Sequence, residues 1–226
     1  MIAQQLAAVR ARIEQAEQRF GRAPGSVALL AVSKAHPAAA IRTAHAAHQL
    51  RFGESYAQEA LAKMSAITDL PLEWHFIGPI QSNKTREIAT HFSWVQSVER
   101  DKIARRLNEQ RPVTLPPLNV CIQVNVSGEA SKSGAAPDEV TALAQIIHTL
   151  PQLRLRGLMA IPAPQTEFEL QRVGFRALRE LYEKLRDAGY ELDTLSMGMT
   201  DDLEAAIAEG ATLVRVGTAI FGERTD

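Results

Sequence analysis

The chain reads as an α/β protein, a single (β/α)8 TIM barrel with an extra N-terminal helix, spanning residues 1–226 as one domain. Three observations predict this. Eight short stretches rich in β-branched and apolar residues recur along the chain, a helical segment separates each from the next, and no shift of composition marks a domain boundary. Alternation of this kind calls for parallel strands with helices outside, and eight units in a chain of this length suit closure into a barrel. An open doubly wound sheet is the alternative, and it normally uses fewer strands.

Residues 2–20 place Ile2, Leu6, Val9, Ile13 and Phe20 at helical spacing among Arg and Glu, an amphipathic helix that Gly21 and Pro24-Gly25 end. Val27 to Val32 is an unbroken apolar run, the pattern of a strand buried on both faces, and it stops at Ser33-Lys34. Pro37 opens a helix to His48. Residues 50–55 form strand two, 56–67 a helix, 73–78 strand three, and 82–92 a helix with Ser82 as its cap. Strand four is 94–98, and a basic helix runs from Asp101 to Gln110. After a proline-containing connector come strand five (119–126), a polar loop at 127–136 and a helix from Pro137 to Leu150. Strand six is 153–161. The longest helix, 168–188, carries Leu170, Val173, Phe175, Leu178, Leu181, Tyr182 and Leu185 near the 3.6-residue period and ends at Gly189. Strand seven (194–198), a helix (202–209) and strand eight (212–218) complete the set.

Composition narrows the function classes. The 226 residues carry a formal net charge of −1 and no block of like charges, which argues against nucleic acid or an anionic membrane as partner. No apolar run approaches a membrane span, and the charged N-terminus is not a signal peptide. The one cysteine, Cys121, sits among apolar neighbours and reads as a small core residue; a reducing cytoplasm is the expected compartment. The six histidines show no metal-like spacing, so no metal site is expected, and His75 between Trp74 and Phe76 reads as a structural histidine.

The chemistry lies at the strand ends. Lys34 stands where the first buried strand emerges at its C-terminal end, the place where barrels bind ligands. Desolvation beside apolar walls disfavours the charged ammonium, and a free lysine amine forms Schiff bases with aldehydes, pyridoxal 5'-phosphate (PLP) being the commonest aldehyde cofactor. A surface lysine at a strand end is the alternative reading. Strand seven runs into Ser196-Met197-Gly198-Met199-Thr200-Asp201-Asp202, small residues whose amides can approach an anion ahead of a helix. Strand eight ends Arg215-Val216-Gly217-Thr218. Arg215 alternates with apolar Val214 and Val216, so it points away from their face, into the barrel mouth or the core, where it needs a carboxylate or a ligand acceptor. Strands one and eight are neighbours in a closed barrel, which sets a Schiff-base lysine beside an anion cradle.

These stretches also carry a family resemblance. Ala31 to Lys34, Phe52 to Glu59, Trp74 to Lys84, Gln123 to Ser127, Ser131 to Gly134, Arg156 to Pro162, Leu195 to Met199 and Arg215 to Gly222 together resemble the pyridoxal phosphate homeostasis proteins, the YggS/PROSC group, themselves similar to the N-terminal barrel of alanine racemase. The resemblance implies that Lys34 carries PLP, that Ser196, Gly217 and Thr218 hold its phosphate, that Arg215 faces its pyridine nitrogen, and that Ser55, Met159 and Met199 complete the binding set. Ser55 stands where the family carries asparagine, and Ala35-His36 follows Lys34 where the family often has another short basic stretch. The resemblance further implies a carrier that holds and transfers or buffers PLP inside the cell, with PLP-dependent apoenzymes as recipients, as a monomer or weak dimer. The alternative is a small PLP-dependent amino-acid racemase. An arginine at the pyridine nitrogen makes the ring a poorer electron sink, and this chain runs only to Asp226, without the second domain that supplies alanine racemase with a tyrosine base. Lys132, in the loop after strand five, either helps cofactor entry or release or is a solvated loop lysine.

Overall fold

A computed structural model describes residues 1–128 and 133–223. Eight strands, β1 (Ala28–Val32), β2 (Arg51–Glu54), β3 (Glu73–Phe76), β4 (Trp94–Val98), β5 (Leu118–Gln123), β6 (Leu153–Met159), β7 (Thr194–Ser196) and β8 (Leu213–Val216), pair in parallel and in sequence order. The sheet closes where β1 meets β8, with Leu30 opposite Arg215 and Ala31 opposite Val216. The helices are α1 (Ile2–Arg19), α2 (Ala38–Ala46), α3 (Ala57–Ala66), α4 (Thr85–His91), α5 (Asp101–Gln110), α6 (Val140–His148), α7 (Phe168–Asp187), α8 (Leu203–Ala208) and α9 (Thr218–Phe221). Each strand is followed by a helix because its continuous apolar run must be covered on the outer face. The open doubly wound alternative is thereby excluded.

The extra helix α1 buries Leu6, Val9, Ile13 and Ala16. It also buries Glu17, whose carboxylate accepts the backbone N–H groups of Gly25 (2.9 Å) and Val27 (2.8 Å). A buried carboxylate held by backbone donors anchors the start of β1 to the helix. At the other end of the barrel Arg12 grips Glu204 and the carbonyl of Thr200, tying α1 to the loop after β7.

Several local expectations change. Pro37 occupies the N-cap of α2 rather than its first turn. Ser82 does not cap α4: the helix begins at Thr85 with Lys84 at the N-cap, and the Ser82 carbonyl accepts the Thr85 hydroxyl. Leu170 and Val173 are exposed, at 53% and 59%. The buried stripe of α7 is Phe175, Leu178, Tyr182 and Leu185, spaced +3, +4, +3; at about 100° per residue the two exposed positions fall off it. The short helix α9 after Gly217 went unanticipated, since four residues carry no periodicity. Lys132 lies outside the described residues.

One irregularity shapes the lumen. Pairing of β5 with β6 passes from Val120–Leu155 to Cys121–Gly157, leaving Arg156 as an extra residue. A Cβ on Gly157 would lie 1.7 Å from the Thr194 carbonyl oxygen, so only glycine lets β6 approach β7 there. The lumen itself is unusual. Barrel interiors are ordinarily filled by branched aliphatics. Here Trp94, Cys121 and Met159 form a small cluster apart from the main core, beside buried His75, Gln96, Ser196 and Arg215.

Candidate functional site

Arg215 is 3% exposed, in mid-β8. One guanidinium nitrogen donates to Ser196 Oγ at 2.7 Å and another to the Ala160 carbonyl at 2.9 Å. Among the described residues no carboxylate lies within salt-bridge distance of it. Burial lowers its pKa to about 10, with Asp202 acting through space the other way, so it remains a cation at neutral pH. A buried cation supported by only neutral acceptors favours an electron-rich ligand atom beside it.

Lys34 follows β1 by two residues, half-buried in a turn in which Ala35 takes φ +62°. That turn is held from behind. The Lys63 ammonium donates to the Ser33 carbonyl (2.7 Å) and Glu54 Oε1 (2.8 Å), and pairs with Glu59 Oε1 at 2.5 Å. Glu54 Oε1 also accepts the Ser33 hydroxyl at 2.6 Å, and Glu59 Oε1 accepts the Ala35 N–H at 2.6 Å. The residues on both sides of Lys34 are therefore gripped by one cluster, buried at Glu54 and Lys63 and partly exposed at Glu59. Burial pushes the Glu54 carboxyl pKa up, and its bonds to Lys63 and Ser33 oppose the rise.

The β8 end is packed tightly against β1. A Cβ on Gly217 would lie 3.1 Å from the Val32 carbonyl oxygen, and the His36 ring lies 5.1 Å from that of Phe221 on α9. Gly217 is the N-cap of α9 and Thr218, exposed, its first residue. Closure of the barrel thus sets the Lys34 turn beside Gly217, Thr218 and, deeper, Arg215.

The loop after β7 is already occupied. The Met199 N–H donates to Asp202 Oδ1 at 2.6 Å, and Asp202 is the N-cap of α8. Burial raises the Asp202 pKa. This carboxylate takes the Met199 amide, one of the donors expected to meet an anion, and Met199 itself is 39% exposed. Ser196 sits inside the lumen with its hydroxyl bonded to Arg215 and Gln96. Met159 is fully buried against Trp94 and Cys121. Ser55 lies at the end of β2, its backbone so close to Gly78 that a Cβ there would meet the Ser55 carbonyl oxygen at 2.2 Å. The structure brings Lys34, Arg215, Gly217 and Thr218 together, and sets Ser196 and Met159 below them.

Sequence reasoning missed three contributors. Gln96 is a polar residue at an inward position of an apolar strand, a signal readable from alternation. Glu54 and Lys63 were invisible as a pair, since only the fold brings a strand end onto the face of the next helix. Cys121 is buried as expected, and burial pushes its thiol pKa up to about 12.

A closed parallel barrel with a lysine turn just past β1 and a buried arginine in the neighbouring β8 defines the class: (β/α)8 barrel proteins. The chain belongs to the family described as alanine racemase, N-terminal domain, which matches residues 4–225. It is 65% identical over 99% of its length to a protein of Pseudomonas aeruginosa named pyridoxal phosphate homeostasis protein, covering 96% of that relative. A protein of the same name from Escherichia coli is 53% identical, with 99% of this chain and 97% of that one covered. Among solved structures, PipY of Synechococcus elongatus with PLP bound matches at 39% identity and TM-score 0.85, covering 98% of this chain and 100% of that one. Alanine racemase of Clostridium difficile, at 14% identity and TM-score 0.74, shares the fold.

Proposed function

We propose that this protein binds PLP at the C-terminal mouth of its barrel and acts in intracellular PLP homeostasis, holding the cofactor and releasing it to PLP-dependent apoenzymes. The carrying observation is Arg215: a buried cation with no carboxylate partner among the described residues, in the strand that neighbours the one leading to Lys34. A pyridine nitrogen is an acceptor that suits it. The names of the relatives and the PLP-bound PipY structure support the same reading.

When bound, PLP supplies an aldehyde with which a lysine amine condenses, and a ring that withdraws electrons. In this reading Lys34 Nζ holds the cofactor covalently, and the Lys63 cluster fixes the turn that presents it. Gly217 and Thr218 hold the phosphate, with Ser196 acting beneath them. Arg215 keeps its protons, so the nitrogen it faces stays unprotonated. Ser55, Met159 and Met199 line the remainder.

The far side of the mouth supports carriage rather than turnover. A racemase needs a second acid–base group opposite the lysine. Among the described residues the ends of β5 and β6 offer Asn125, Ser127 and Met159, and none of these titrates near neutrality. Tyr56 caps α3 and is 59% exposed. Residues 1–226 act as one domain in this reading, as a cytoplasmic monomer or weak dimer; no described helix is long and apolar enough to cross a membrane. The test is borohydride reduction of the purified protein after PLP loading, followed by mass spectrometry of its peptides. A pyridoxyl group on Lys34 is the expected result; label on another lysine with Lys34 clean overturns the assignment.

A further inference from the structure

The buried polar groups of the lumen form one continuous line. Arg215 donates to Ser196 Oγ (2.7 Å), Ser196 Oγ lies 2.6 Å from Gln96 Oε1, Gln96 Nε2 lies 2.8 Å from His75 Nδ1, and His75 Nε2 lies 2.8 Å from Glu73 Oε1. Arg215, Ser196, Gln96 and His75 are at most 3% exposed. Glu73 opens on a polar cavity of about 380 Å³ at the N-terminal mouth, lined also by Arg51, Trp94 and Arg156. Arg215, buried in β8, reaches the Ala160 carbonyl just past the C-terminal end of β6. The line therefore runs from the N-terminal mouth to the C-terminal side of the lumen.

Its ends dictate its direction. A guanidinium can only donate and a carboxylate can only accept. With His75 neutral, Nε2–H serves Glu73 and Nδ1 must accept. Gln96 then turns its NH2 to His75 and its oxygen to Ser196, and the Ser196 proton is committed to Gln96. A cationic His75 reverses this. Nδ1–H donates to the Gln96 oxygen, the amide turns over, its NH2 donates to Ser196, and the Ser196 proton is freed for an acceptor at the cofactor mouth. One added proton at His75 thus changes what Ser196 presents beside Arg215.

We propose that His75 and Gln96 are positioning residues for the cofactor mouth, setting the donor direction of Ser196 and the pose of Arg215 according to the charge on His75. The proposal rests on the reading that PLP binds beside Arg215. Every group facing His75 enters the balance. Glu73 on its own strand favours the cation, and Arg51 on β2, bonded to Glu73 at 3.1 Å, opposes it. Trp94 on β4 stacks on the ring at 5.1 Å, and Arg156 on β6, paired with Asp193, covers Trp94 at 4.6 Å. Burial outweighs Glu73 and lowers the His75 pKa, so the neutral arrangement holds at neutral pH and the switch lies on the acidic side.

The experiment follows two signals through one pH titration: nitrogen NMR of the His75 ring and Arg215 side chain in cofactor-free protein, and PLP affinity with the visible spectrum of loaded protein. In the wild type, the Arg215 resonance, the spectrum and the affinity should change with the His75 midpoint, the affinity by about tenfold, the size of one reoriented hydrogen bond. Gln96→Glu puts acceptors toward both neighbours and should move that midpoint upward. Gln96→Met should leave His75 titrating while the Arg215 resonance no longer follows. If the spectrum and affinity ignore a titrating His75, the proposal is wrong. If wild-type protein binds no PLP, the proposed function falls, and the Arg215 resonance alone decides the coupling: following His75 supports it, staying still overturns it.

Discussion

Lys63→Met tests whether the cluster behind the Lys34 turn matters. Lys63 is 7% exposed and the Glu54 side chain is wholly buried, so the substitution leaves a carboxylate in the interior without its cation. Removing one partner of a buried pair costs about 3–5 kcal/mol. Glu54 can escape part of that cost by taking a proton, because burial already holds its pKa above the model-compound 4.5. Loss of Lys63 raises it further. A carboxyl whose folded-state pKa exceeds its unfolded one gives stability that is complete below the unfolded pKa and is lost as pH rises through the folded one. The deficit of Lys63→Met should therefore be largest at neutral pH and shrink toward pH 4.5. The double variant Lys63→Met/Glu54→Gln removes the stranded charge and should keep only the loss of the bonds to Ser33 and Glu59, about 1–3 kcal/mol. Urea unfolding across pH gives these differences, and borohydride trapping on Lys34 shows whether the turn still presents its amine. A loss below about 1 kcal/mol at neutral pH, or one that does not change with pH, would refute the reasoning.

Thr218→Val should weaken PLP by roughly 10- to 150-fold, the loss of about 1.5–3 kcal/mol for a bond to a charged group, while pyridoxal binding stays near the wild type; equal losses would place Thr218 in packing instead. Cys121 should resist alkylation in the folded protein and react fully on denaturation, because its thiol is buried and its pKa is pushed up to about 12; quantitative mass spectrometry reads both. Gly157→Ala should destabilise the barrel by more than about 3 kcal/mol in urea unfolding, since its Cβ meets the Thr194 carbonyl oxygen at 1.7 Å. Deuterium exchange at the α-carbon of amino acids should stay at background in the loaded protein; Lys34-dependent exchange at even about 1 per second would make it an enzyme.

The amino-acid sequence alone determined the barrel, because eight apolar runs that must be covered on both faces leave a parallel sheet with external helices as the economical solution. It also placed Lys34, Arg215, Gly217 and Thr218 at strand ends, and the inward direction of Arg215 followed from its apolar neighbours Val214 and Val216. Tertiary structure decided what these residues meet. The turn at Lys34 is gripped by Glu54, Glu59 and Lys63, residues of β2 and α3 that strand periodicity treats as unrelated. The loop after β7 offered a run of small residues, yet its Met199 amide is taken by Asp202. Ser196 faces the lumen, where it joins Arg215 to Gln96 and His75. Periodicity reports which face of an element is buried. It cannot report which polar groups share that interior, because a hydrogen bond across a closed barrel joins residues as far apart as Gln96 and Ser196, and only closure of the sheet brings them within 2.6 Å.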